Sequence, residues 1–120
     1  MTEREYIECS MKLVLRLAEN EFLDIKDHET MAEWFLRCMA LVYAFHGERF
    51  PLYDTPNVRM LHVFESYGKD DPLGWKVAAH LLYDDIGDEY SLSVYERQCE
   101  EDPFFIRLGN IFSETLKGEQ

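Results

Sequence analysis

Residues 34–45, WFLRCMALVYAF, are the longest apolar run in the chain, twelve residues interrupted only by Arg37. Asp27 and Thr30 stand before it as helix-capping residue types, and Glu33 follows Thr30 at capping-box spacing. His46-Gly47 closes it, a pair suited to a helix C-terminus. A helix is therefore predicted over 28–46. Met31, Phe35, Cys38, Val42 and Phe45 form one stripe, while Trp34, Leu36, Met39, Leu41 and Tyr43 fill the other sides. A helix apolar on nearly every side must be buried on nearly every side. This segment is the expected central strut, and the rest of the chain has to surround it.

The rest of the chain also reads as helix. Thr2 and Glu5 make a capping box, and Ile7, Met11, Val14, Ala18 and Phe22 recur at helical spacing, giving a first helix over about 3–23. Thr55-Pro56 supplies a cap and a first-turn proline for 56–67, with Val58, Leu61, Phe64 and Tyr67 inward and Gly68 at its end. Asp71-Pro72 repeats the signal for 72–86, which ends at Gly87. Asp88 or Ser91 opens 89–101, and Asp102-Pro103 opens 103–117. In that last helix Phe104, Leu108, Ile111 and Phe112 face inward, and Gly109 reads as a weak point. There is no sustained alternation and no Asn-Gly or Asp-Gly hairpin turn. The fold class is all-α: a compact bundle of about six helices, one domain over 1–120, its short links favouring antiparallel neighbours.

A chain of 120 residues can bury a core without metals or disulfides. Cys9, Cys38 and Cys99 form no C-x-x-C and no zinc pattern, so three reduced thiols are expected, with Cys38 as a small core hydrophobe. Spanning a bilayer takes about 20 apolar residues, and the acidic start MTEREYIECS is unlike a signal peptide. The expectation is a soluble, cytoplasmic protein.

The stretch LLYDDIGDEYS, 81–91, invites a calcium reading, which its spacing rejects. An EF-hand loop needs an oxygen ligand at position 3 and glycine at position 6. Starting from Asp85 these positions are Gly87 and Tyr90; from Asp84 they are Ile86 and Glu89. A di-metal bundle needs Glu-x-x-His, yet Ile25, Tyr43, Arg59 and Val77 precede the four histidines at that spacing. Two reversed pairs remain, His62 with Glu65 and His80 with Asp84, as an acid–base pair or half a metal site. Ordinary helix-surface pairing is the stronger account of both. The large aromatics Trp34, Phe35, Phe45 and Trp75 are first of all core. With no nucleophile, phosphate-loop or zinc-protease motif present, no catalytic, cofactor or metal residue is assigned, and an enzyme is not expected.

Charge is the more informative feature. The net −12 disfavours direct contact with nucleic acid or an anionic membrane surface. All of it lies in two segments. Residues 19–33 hold six acids against Lys26, and 84–102 hold eight against Arg97, while the other three stretches each balance to zero. Clustered like charges repel and weaken a fold. Asp27, Asp88 and Asp102 repay part of that as caps. The functional expectation is an acidic protein-binding module: a stoichiometric inhibitor, immunity protein or adaptor that docks on a basic protein, with proteins that handle nucleic acid as one class of target. Its contact residues would be Asp84, Asp85, Asp88, Glu89, Glu96, Glu100 and Glu101, with Asp24, Glu29 and Glu33 from the first segment. A helix over 84–102 spans about 28 Å, along which duplex DNA carries about 16 charges. The 8 carboxylates of one segment give half that density, and the 14 of both approach it only if the segments lie side by side. The alternatives are a self-associating structural subunit that uses apolar surface, and a small metal enzyme built on His62, Glu65, His80 and Asp84.

Overall fold

The computed structural model describes residues 2–46, 58–84 and 102–118. Five helices lie within them: α1 (Glu3–Glu19), α2 (His28–His46), α3 (Val58–Tyr67), α4 (Pro72–Asp84) and α5 (Pro103–Lys117). No strand occurs among the described residues, so the protein is all-α. The predicted helix over 89–101 lies outside them, as do the Thr55-Pro56 cap, Gly47, Gly87, Asp88 and Cys99.

Local signals fixed the helix starts. At α1, the Glu5 amide donates to Thr2 Oγ1 at 3.1 Å and the Thr2 amide donates to Glu5 Oε1 at 3.3 Å. At α5, the Phe104 amide donates to Asp102 Oδ1 at 3.0 Å, with proline in the first turn. Asp71 does the same for Leu73 at 3.0 Å. At α2 Asp27 is the cap and Thr30 is its helper: Asp27 accepts the Glu29 amide at 3.1 Å and the Thr30 hydroxyl at 2.8 Å. Glu33 pairs with Arg37 instead.

Helix α1 stops at Glu19, short of the expected residue 23. Its end is a Schellman motif: the Phe22 amide reaches the Leu17 carbonyl at 2.9 Å and the Glu21 amide reaches Ala18 at 3.1 Å. Glu21 holds the left-handed position, φ 65°, where glycine is usual. Sequence alone does not announce a glutamate there. The buried face of α1 also differs from the expected stripe. It carries Tyr6, Cys9, Ser10, Leu13, Val14 and Leu17, so Ile7, Met11 and Ala18 are flanks. Tyr6 is a core residue because its hydroxyl donates to the Met39 carbonyl of α2 at 2.6 Å, which satisfies the one polar atom it buries.

The helices close into a ring. Each packs on the next in chain order, and α5 returns to pack on α1. Helix α5 runs antiparallel to both α4 and α1, as the pairings show: Tyr83 meets Phe104 and Asp70 meets Lys117 along α4 and α5. Along α1 and α5, Phe22 meets Phe104 and Arg16 meets Glu114. Inside the ring α2 touches α4, where Phe45, Phe64 and Trp75 form an aromatic knot with ring centroids 5.1–6.0 Å apart.

The expected central strut is shared. In α2, residues 38–45 are buried apart from a half-buried Tyr43, but Glu29, Ala32, Glu33 and Leu36 are exposed. Helix α4 is the more enclosed, buried from Gly74 to Leu82 except at Lys76. Small residues make this possible. A Cβ on Gly109 of α5 would lie 2.9 Å from the Trp75 carbonyl oxygen, so the two backbones touch there. Gly109 is a contact point, and the expectation of a weak point is corrected. On α3, Met60 and Val63 are fully buried, with Phe64 and Tyr67 beside them. On α5, Leu108, Ile111, Phe112 and Leu116 face the core as expected.

Candidate functional site

Arg37, the one interruption in the apolar run, organises a corner of the molecule. Its Nη1 donates to the carbonyls of Leu82 at 2.9 Å and Tyr83 at 2.8 Å, in the last turn of α4. A cation there bonds carbonyls near a helix C-terminus and opposes the negative end of the helix dipole. Its Nη2 pairs with Glu33, and its guanidinium lies over the Trp34 ring, 4.9 Å from the centroid.

Aromatic rings continue the connection. Trp34 lies 6.1 Å from Tyr83, Tyr83 packs edge-on against Phe104 at 4.8 Å, and Phe104 meets Phe22 at 5.2 Å. Arg107 covers the other side of Phe22 at 5.0 Å. Phe22 belongs to the first acidic segment, whereas Tyr83 and Phe104 bracket the second. The chain positions on both sides of 84–102 are thus fastened to segment 19–33. These flanking aromatics were the signal in the sequence, because large apolar side chains at the edge of a charged segment have to pack somewhere.

The predicted contact residues divide into two groups. Asp85, Asp88, Glu89, Glu96, Glu100 and Glu101 lie outside the described residues. Asp84 closes α4, and only its backbone is described. Asp24, Glu29 and Glu33 are all exposed. Asp24 accepts the Lys26 amide at 2.9 Å and Glu33 holds Arg37. Asp27 is occupied as a cap, and the Thr30 hydroxyl, followed by the amides of Thr30 and Glu29, holds its carboxyl below the ordinary value of 3.8. The Glu29 carboxylate makes no hydrogen bond or ion pair among the described residues. The same is true of Glu19 and Glu21, two exposed carboxylates absent from the predicted contact set.

The two histidines lie in different settings. His62 and Glu65 are exposed on α3, but His80 is 5% exposed and stacks on Phe105 of α5 at 4.4 Å. The expected surface position of His80 is corrected, because α5 covers that side of α4; the side chain of its predicted partner Asp84 lies outside what is described. No group of three or more metal-ligating side chains occurs among the described residues. Cys9 and Cys38 are buried and not joined in a disulfide, and burial pushes the Cys38 thiol far above its ordinary value. No helix among the described residues is long and apolar enough to cross a membrane.

Comparison with protein-family models, with curated proteins and with solved structures finds no match to this chain.

Proposed function

We propose that this protein is an acidic protein-binding module, an inhibitor, immunity protein or adaptor that docks on a basic, nucleic-acid-handling protein through 19–33 and 84–102. One observation carries it. Phe104 packs on Phe22 and Tyr83 packs on Phe104, so one flank of the second acidic segment lies against the first and the other is joined to it through Phe104. That adjacency is what a combined field of 14 carboxylates requires. Converging like charge raises association rates for an oppositely charged partner, and it costs folding stability that a purely structural surface has no reason to spend. Glu19, Glu21 and Glu29 add support, because their carboxylates make no hydrogen bond or ion pair among the described residues.

Affinity capture from the native host at low and high salt tests this, with wild type beside a variant carrying Asp24→Lys, Glu29→Lys, Asp84→Lys, Asp85→Lys, Asp88→Lys and Glu89→Lys. A basic protein should be retained by wild type at low salt, released at high salt, displaced by duplex DNA, and lost by the variant. Retention indifferent to salt and to charge reversal would sink the proposal. A stable, salt-indifferent oligomer of the protein alone would instead mark it as a structural subunit.

A further inference from the structure

Beside the acidic corner, the last turns of α1 and the turn after it enclose an apolar groove of about 430 Å³. Leu15, Ala18, Leu23 and Ile25 line it, and Glu19, Asp24 and Lys26 complete the lining. Two of the apolar residues stay open to solvent, Leu15 at 44% and Ile25 at 37% exposure. Their exposure has a local cause. The Schellman end of α1 turns Phe22 toward Phe104 and Arg107, and residues 23–26 then run back beside Leu15 and Ala18. The groove is therefore held by the same turn that presents the free carboxylates of Glu19 and Glu21.

We infer that this groove is the anchor point of the docking surface and receives an apolar side chain from a basic amphipathic segment of the partner. The inference rests on the acidic docking reading and adds where specificity lies. Long-range attraction between opposite charges speeds encounter and turns away like-charged partners; a desolvated apolar anchor slows dissociation and adds selection by shape. Charge decides between occupants. Segment 19–33 carries five net negative charges, so a segment with Lys or Arg flanking its anchor gains at Glu19 and Asp24. A second copy of this chain would bring its own acidic rim against the first. An apolar anchor between basic residues, repeated at i, i+3 or i+4 and i+7, is the standard pattern of a helix laid in a groove.

The test uses the 120-residue chain and two synthetic probes, a Leu/Lys peptide of about 14 residues with leucines at helical spacing and an oligolysine of equal charge. Titrations are followed by amide chemical shifts and by fluorescence anisotropy. The Leu/Lys peptide should shift the amides of Leu15, Ala18, Leu23 and Ile25 and should bind more tightly than oligolysine. Replacing Leu15→Ser and Ile25→Ser together should weaken it about tenfold without altering the helical circular dichroism, because both side chains are already exposed. Equal binding of both peptides, unaffected by Leu15→Ser and Ile25→Ser, would overturn the groove and leave acidic docking standing. Groove-dependent binding indifferent to salt and to Glu19→Lys with Asp24→Lys would overturn the basic occupant and the acidic reading of this segment together. A dimer dissolved by Leu15→Ser in sedimentation would give the groove to a second copy and overturn the inference.

Discussion

From Gly74 to Leu82, α4 buries every residue except Lys76; from Glu19 to Glu33 not one residue is fully buried. In α4 shape decides. Its neighbours come close enough that Gly109 of α5 touches the Trp75 backbone, and its one buried imidazole, His80, is covered by a phenyl ring. In segment 19–33 charge and hydrogen bonding decide. Asp24 and Asp27 fold back on local amides, Glu33 holds Arg37, and Glu21 sits in a backbone region that favours glycine. One region spends its sequence on fit and tolerates little change. The other keeps its backbone in place with short polar contacts and leaves three carboxylates uncommitted.

The sharpest way to break this contrast is Gly109→Ala. At an ordinary helix-interior site it would stabilise by about 0.5–1 kcal/mol. Here the new methyl would meet backbone 2.9 Å away, and α4 and α5 must separate, so a loss of about 2–3 kcal/mol is expected. Urea denaturation reads the sign directly, and a gain would mean the helices do not touch there.

Glu21→Gly should act the other way. Relief of the left-handed strain exceeds the added chain entropy, so a gain of about 0.5–1 kcal/mol is expected. Glu21→Ala removes the same carboxylate but keeps a Cβ. If alanine stabilises as much as glycine, the gain comes from charge and the strain argument fails.

The smallest effect is a pH dependence. Thr30 holds the folded Asp27 carboxyl below its ordinary value of 3.8, so the folded state favours the ionised form. That contribution is present above the ordinary value and is lost as pH falls through the depressed one. Asp27→Asn should therefore weaken the protein near neutrality and differ progressively less from wild type as pH drops below about 4. A difference constant from pH 7 to pH 2 would show that Asp27 acts only through geometry.

What was legible in the sequence was what neighbours in the chain decide. Thr2 with Glu5, Asp71-Pro72 and Asp102-Pro103 set helix starts through contacts two or three residues long. The α1 face departs from the apolar stripe because its members include Tyr6, Cys9 and Ser10, which such a stripe does not count. Their burial depends on partners far along the chain, such as Met39. His80 and Gly109 escape a sequence reading for the same reason: each is defined by a helix about thirty residues away. The position of the charge was readable by counting. The adjacency of segment 19–33 to the flanks of 84–102 was not, since it depends on where Phe22, Tyr83 and Phe104 meet.

The two tryptophans stand at opposite ends of α2's contact with α4, and this makes the molecule its own optical instrument. Trp75 is sealed in the knot with Phe45 and Phe64, so its emission follows the core alone. Trp34 is buried beneath Arg37 and beside Tyr83, where a bound cationic partner would alter the field across its ring. With Trp75 replaced by phenylalanine, the remaining indole reports the acidic corner; with Trp34 replaced, the other reports folding. Occupancy and integrity can then be read from one protein at two positions, without attaching a dye to either.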